Sequence, residues 1–194
     1  LFGTAAFSNT LGIVARESFI GNITAGALLT TLGISEAQFF AGMAELARDP
    51  SRDPGFILNK GTFNVAPDSF LALVAGAVRN EGNINANGGA AVLSAGDQVK
   101  LDFSGDGLIS VAVEKPITSP VYDSHGNKVN DAIANTGKIK ADGGVVILSA
   151  KAVEEAFDNV INHTGIIEAN SISNKNGHIV LDGGDDGIVN VSGT

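Results

Sequence analysis

Four stretches of this chain obey one rule. They are "ILNKGTFNV" (57–65), "VRNEGNINA" (78–86), "IANTGKIKA" (133–141) and "INHTGIIEA" (161–169). Each reads apolar-x-[Asn/His]-x-Gly-x-[Ile/Phe]-x-[Ala/Val], and Gly61, Gly82, Gly137 and Gly165 are separated by 21, 55 and 28 residues. After each Gly, apolar residues alternate with polar or small ones, the period of a strand with one buried face. So short a strand cannot bury that face alone. The units must stack on one another, and a repeat of roughly twenty to thirty residues is the mark of a solenoid.

The corner before each strand carries its own logic. Gly is expected to supply a positive φ there. Asn59, Asn80 and Asn135 precede it by two positions, where Asn suits a turn, and His163 takes that place in the fourth unit. If the units stack in register, about 4.8 Å apart, these amides bond up the stack as a ladder; otherwise each Asn caps its own turn. The 55-residue gap has room for two coils with an insertion. "GNINANGGAAVLSA" (82–95) and "GKIKADGGVVILSA" (137–150) extend the match across that gap. In "NGHIVLDGGDDGIVNVSG", Gly177 precedes Ile179 and Leu181, and Gly187 precedes Val189 and Val191. Gly-cornered short strands without the helices of a βαβ pattern predict an all-β chain, a parallel β-helix.

Three segments interrupt the rule. "ISEAQFFAGMAELARDP" reads as a helix, with a Ser35–Gln38 capping box, Phe39, Phe40, Met43, Ala44 and Leu46 on one face, and Pro50 beyond. "AKAVEEAFDNV" has helical spacing at Val153, Phe157 and Val160. Both are expected to lie over exposed core at a coil edge. In the third, Leu101, Phe103, Leu108, Val111 and Val113 suggest a strand pair around Asp106-Gly107. A hairpin over Tyr122–Val129 turns at His125-Gly126-Asn127. Such loops project from a solenoid, where binding specificity often resides.

Composition closes several routes. The net charge of −9 and scattered basic residues argue against nucleic acid and anionic lipid. One Tyr and no Trp argue against a membrane-embedded barrel, and the longest apolar run is far short of a spanning helix. There is no Cys for a disulfide or a thiol site. His125, His163 and His178 have no metal-ligand spacing. Carboxylates cluster at Asp102 and Asp106, and at Asp182, Asp185 and Asp186, but the calcium nonapeptide is not reproduced and solvated turns are the default reading. No phosphate loop, Ser–His–Asp arrangement or metalloprotease motif is present, so neither enzyme nor cofactor is assigned.

"TAGALLTTLGISEAQFFAG", "VRNEGNINANGGAAVLSAGDQVKLDFSGDGLISVAV", "IANTGKIKADGGVVILSAKA" and "NHTGIIEANSISNKNGHIVLDGGDDGIVNVSG" together cover most of residues 25 to 194. They resemble the amino-terminal secretion domain of two-partner-secretion exoproteins, the filamentous-haemagglutinin family. "DFSGDGLISVAV" is the most specific phrase. The resemblance implies a right-handed parallel β-helix with short extra-helical hairpins. It implies export through the periplasm and recognition by the POTRA domains of a partner outer-membrane barrel. The exoprotein would be threaded out unfolded and fold at the bacterial cell surface, a route that absence of Cys suits. Family members act mostly as adhesins, haemagglutinins, cytolysins or contact-dependent inhibition proteins, which implies a ligand on a host or neighbouring cell.

The family's Asn-Pro-Asn motifs are absent here, so the residues that meet the transporter are not assigned. Residues 1–194 are expected to be one β-helix domain, a piece of a longer exoprotein whose first strands lie upstream. Two rivals stand beside the secretion module: a structural or adhesive filament component, and a carbohydrate-active β-helix.

Overall fold

The chain winds through three sheets in rotation, and each full turn sets its strands beside those of the turn before. The computed structural model describes residues 12–34, 43–102, 109–172 and 175–194. The first sheet stacks β1 (Gly12–Ala15), β6 (Phe56–Asn59), β9 (Ala77–Asn80), β14 (Asp131–Asn135), β17 (Asn159–His163) and β20 (Val189–Val191). The second holds β2 (Ile20–Ile23), β7 (Thr62–Val65), β10 (Asn83–Asn85), β15 (Lys138–Lys140) and β18 (Ile166–Glu168). The third holds β3 (Ala27–Thr30), β8 (Phe70–Ala75), β11 (Ala90–Ala95), β16 (Val145–Ala150) and β19 (His178–Asp182). Every pairing in the three is parallel, the arrangement of a parallel β-helix.

Register explains the inside. Phe63, Ile84, Ile139 and Ile167 form one inward column, and Ile57, Val78, Ile133 and Ile161 another. All eight are buried in one core. Residues on β8 and β11 are buried on both faces, which is why these strands read as continuous apolar runs. Their outer face lies under a fourth, antiparallel sheet in the order β13 (Ser110–Lys115), β12 (Gln98–Asp102), β5 (Met43–Ala47), β4 (Gly33–Ile34). Leu28, Ala72, Val92 and Ile147 from the solenoid and Leu46, Val99, Leu101 and Val113 from this cover share a second core.

Both helix expectations fail where they can be seen. Met43–Ala47 is a strand, with Ala44 and Leu46 buried and Glu45 and Ala47 exposed, a period of two. Residues 35–42, which carry the Ser35–Gln38 capping box, lie outside the described residues. Residues 151–158 are turns, with a parallel bridge from Ala152 to Ile117, before Asn159 enters β17. Phe157 and Val160 are drawn into the core as the chain rounds the corner between sheets, which leaves no length for helical turns.

The 55-residue gap also resolves. Asn80 lies directly beside Asn135, so the gap holds one coil, not two. The surplus makes β12, β13 and the Tyr122–Val129 hairpin. β12 and β13 are the expected antiparallel pair, and their Asp106-Gly107 turn lies outside the described residues. Tyr122 bridges Lys128, and Gly126 turns the hairpin with φ +81°.

Candidate functional site

Asn59, Asn80, Asn135 and His163 occupy one column of the first sheet, all buried. A buried amide without a partner costs roughly 1–3 kcal/mol per group, so each must find one in the rung above or below. The Gly61 N–H donates to Asn59 Oδ1 at 2.9 Å, which leaves Asn59 Nδ2 to donate to Asn80 Oδ1 at 2.8 Å. Asn80 Nδ2 donates to Asn135 Oδ1 at 2.7 Å, and Asn135 Nδ2 lies 3.1 Å from His163 Nδ1. That nitrogen therefore accepts. The Asn135 carbonyl, also near it, is already taken by the N–H groups of Thr164 and Gly165. The ring proton sits on Nε2, 3.4 Å from the Thr194 carbonyl.

The backbone repeats the same step. The carbonyls of Asn59, Asn80, Asn135 and His163 each accept two N–H groups from the next coil, at 2.8–3.1 Å. Gly61, Gly82, Gly137, Gly165 and Gly193 form the adjoining column. The reason for Gly here differs from the expected positive φ, which is found instead at Gly26, Gly88, Gly126, Gly143 and Gly184. A Cβ on Gly82 would strike the Gly61 carbonyl oxygen, and the contact recurs at Gly137, Gly165 and Gly193. The corner needs Gly because the coils approach too closely for a side chain.

A second amide row escaped the sequence reading. On the solvent face of the second sheet, Asn85 Nδ2 donates to Asn64 Oδ1 at 2.9 Å, and Asn64 Nδ2 to Asn22 Oδ1 at 3.1 Å. Its signal was visible: Asn64 and Asn85 both stand three residues after a corner Gly. A third copy of the turn was also missed. Ala66-Pro67-Asp68-Ser69 closes as Ala86–Gly89 and Ala141–Gly144 do, with Asp68 at φ +59° where the later copies place Gly88 and Gly143.

The Asp182, Asp185 and Asp186 cluster is separate from these rows, and Asp106 of the other lies outside the described residues. Asp182 accepts from Ser149 Oγ and from the Gly184 N–H, while Asp185, Asp186 and Glu154 line an open cavity of about 590 Å³. Among the described residues no three His, Cys, Asp or Glu side chains are grouped to hold a metal ion. His125 is at the hairpin tip, and His178 opens β19. Clefts of about 470 and 390 Å³ flank that tip, both lined by Val14 and Ser124. Among the described residues no helix is long and apolar enough to cross a membrane.

The HMW1 secretion domain from Haemophilus influenzae superposes on this architecture with a TM-score of 0.68 and 28% identity, over 90% of this chain and 41% of that one. The fold is that of the HMW1 secretion domain. Two heme/hemopexin-binding proteins are also similar. One, from Haemophilus influenzae, is 40% identical over 76 residues, 39% of this chain and 7% of its own. The other, from strain Rd, is 36% identical over 117 residues, 60% of this chain and 11% of its own. This chain therefore matches only about a tenth of the length of those relatives. No family model matches it.

Proposed function

We propose that this chain is the secretion and folding-nucleation module of a large bacterial surface exoprotein, non-enzymatic and recognised by the POTRA domains of a partner outer-membrane barrel. The observation that carries the reading is the similarity to the HMW1 secretion domain across nine-tenths of the chain. The stacked corner supports the nucleating role, since each coil offers the next one a ready set of carbonyls and amides. The test is export of the complete exoprotein, with its amino-terminal region, from cells with and without the partner barrel. Loss of export without the barrel is expected, and equal export would end the reading.

A second reading is a structural or adhesive rod. Ile179, Val180, Ile188, Val189 and Val191 are exposed at the last coil, a surface suited to cover by further coils of a larger passenger. The names of the two relatives make hemopexin the first ligand to try for the whole exoprotein. Pull-down of hemopexin and of host-cell glycans by the full-length protein separates the two, and capture of neither removes the adhesive version.

A further inference from the structure

The solvent face of the second sheet is a regular grid over the rungs β2, β7 and β10. One column carries Ile20, Thr62 and Asn83, the other Asn22, Asn64 and Asn85. Rungs are about 4.8 Å apart and the columns about 6.6 Å apart along the strands. Within the second column the amides bond one another, so their planes are fixed by the stack. Asn64 spends one N–H and one lone pair in the row and keeps the other of each for a ligand. None of the six side chains is charged. The lysines of the fourth rung are engaged by carboxylates: Lys138 meets Glu168 at 3.1 Å, and Lys140 meets Asp142 at 3.0 Å.

From this we infer that the face binds an uncharged, extended β-1,4-linked hexopyranose chain lying along the solenoid axis. Such a glycan advances by nearly one rung per sugar and turns over at each linkage, so Asn22, Asn64 and Asn85 in turn meet alternating hydroxyl-bearing edges of the chain. Its hydroxyls both donate and accept, as the amides do. An anionic polymer finds no free cation on these rungs, and Ile20, exposed at the edge, offers an apolar contact for a sugar's C–H face. The inference stands independently of secretion and involves binding without bond cleavage.

The test is titration of the isotope-labelled 194-residue chain with cellohexaose, read from the side-chain amide NMR signals. Maltohexaose, the same sugar coiled by α-linkages, is the control of geometry. Saturable shifts at Asn64, Asn83 and Asn85 with cellohexaose are expected, with maltohexaose about tenfold weaker. Asn83 is exposed and outside the bonded row, so Asn83→Ala should weaken binding about fivefold while leaving the melting temperature unchanged. No shift with cellohexaose, equal response to both hexaoses, or wild-type affinity in Asn83→Ala would overturn the assignment.

Discussion

Arg48 grips Asp97 through two hydrogen bonds, Nε to Oδ1 at 2.6 Å and Nη2 to Oδ2 at 2.9 Å. The pair closes the end of the antiparallel cover, where Ala47 of β5 lies opposite Gln98 of β12. Thr118 Oγ1 adds a third bond to the same carboxylate, and Arg48 Nη1 reaches the Arg52 carbonyl. Both side chains are largely buried, so removing one leaves the other charge in a poor solvent. Asp97→Ala should lower stability by about 3 kcal/mol in urea unfolding. The Arg48→Ala, Asp97→Ala double variant should lose less than the sum of the single variants.

The inner ladder predicts a contrast between two of its members. Asn80→Ala strands the Asn59 amide below and the Asn135 side-chain Oδ1 above, and should cost about 3 kcal/mol. His163→Asn lets an amide oxygen accept from Asn135 Nδ2 in place of the ring nitrogen, and should cost less than about 1 kcal/mol. Urea denaturation of the two variants checks the order, and a His163→Asn loss equal to that of Asn80→Ala would contradict it.

Glycine substitutions should split by position. In Gly137→Ala the new methyl meets the Gly82 carbonyl oxygen and the Glu81 carbonyl carbon, backbone that can yield only by parting the coils. The expected loss is about 3 kcal/mol or more. Nothing lies near Gly126, where the positive φ alone resists a side chain, at about 1 kcal/mol for Ala. Soluble yield and melting temperature distinguish the two.

Asp142 and Lys140 set a pH dependence. The hydrogen bond from Lys140, then those from the Asn170 backbone and side chain, hold the Asp142 carboxyl below its usual range. The same bond to Asp142 raises Lys140. The Asp142 contribution is complete above the ordinary carboxylate pKa and is lost as pH falls through the lowered one. The Lys140 contribution is complete below the ordinary lysine pKa and is lost as pH rises through the raised one. Asp142→Asn should melt below wild type at neutral pH, and the gap should close in acid beneath the carboxylate range. A gap that persists there would rule out this linkage.

The corner was legible because backbone demands fall on single residues. Asn59, Asn80 and Asn135 and the glycines two places on recur at fixed offsets, and register converts those offsets into columns. What stayed hidden depends on partners distant in the chain. Ala44 and Leu46 alternate as a strand does, but Phe39, Phe40 and Met43 just before them have helical spacing in so short a window, and pairing with β12 decides between the two. Arg48 and Asp97 carry no local mark of their bond across the cover sheet. Ala66-Pro67-Asp68-Ser69 escaped because Asp68 adopts a conformation usually given to Gly.

The Gly61 N–H can only donate, so it fixes which way Asn59 faces, and every amide above must follow. The column is thus a one-way relay: each finished coil holds out a hydrogen to the next arrival. The tautomer of His163, three rungs on, is set by a main-chain hydrogen it never touches. A chain that folds from its first coil upward would inherit that polarity at each step, and a reversed amide anywhere would leave two hydrogens facing each other inside the rod.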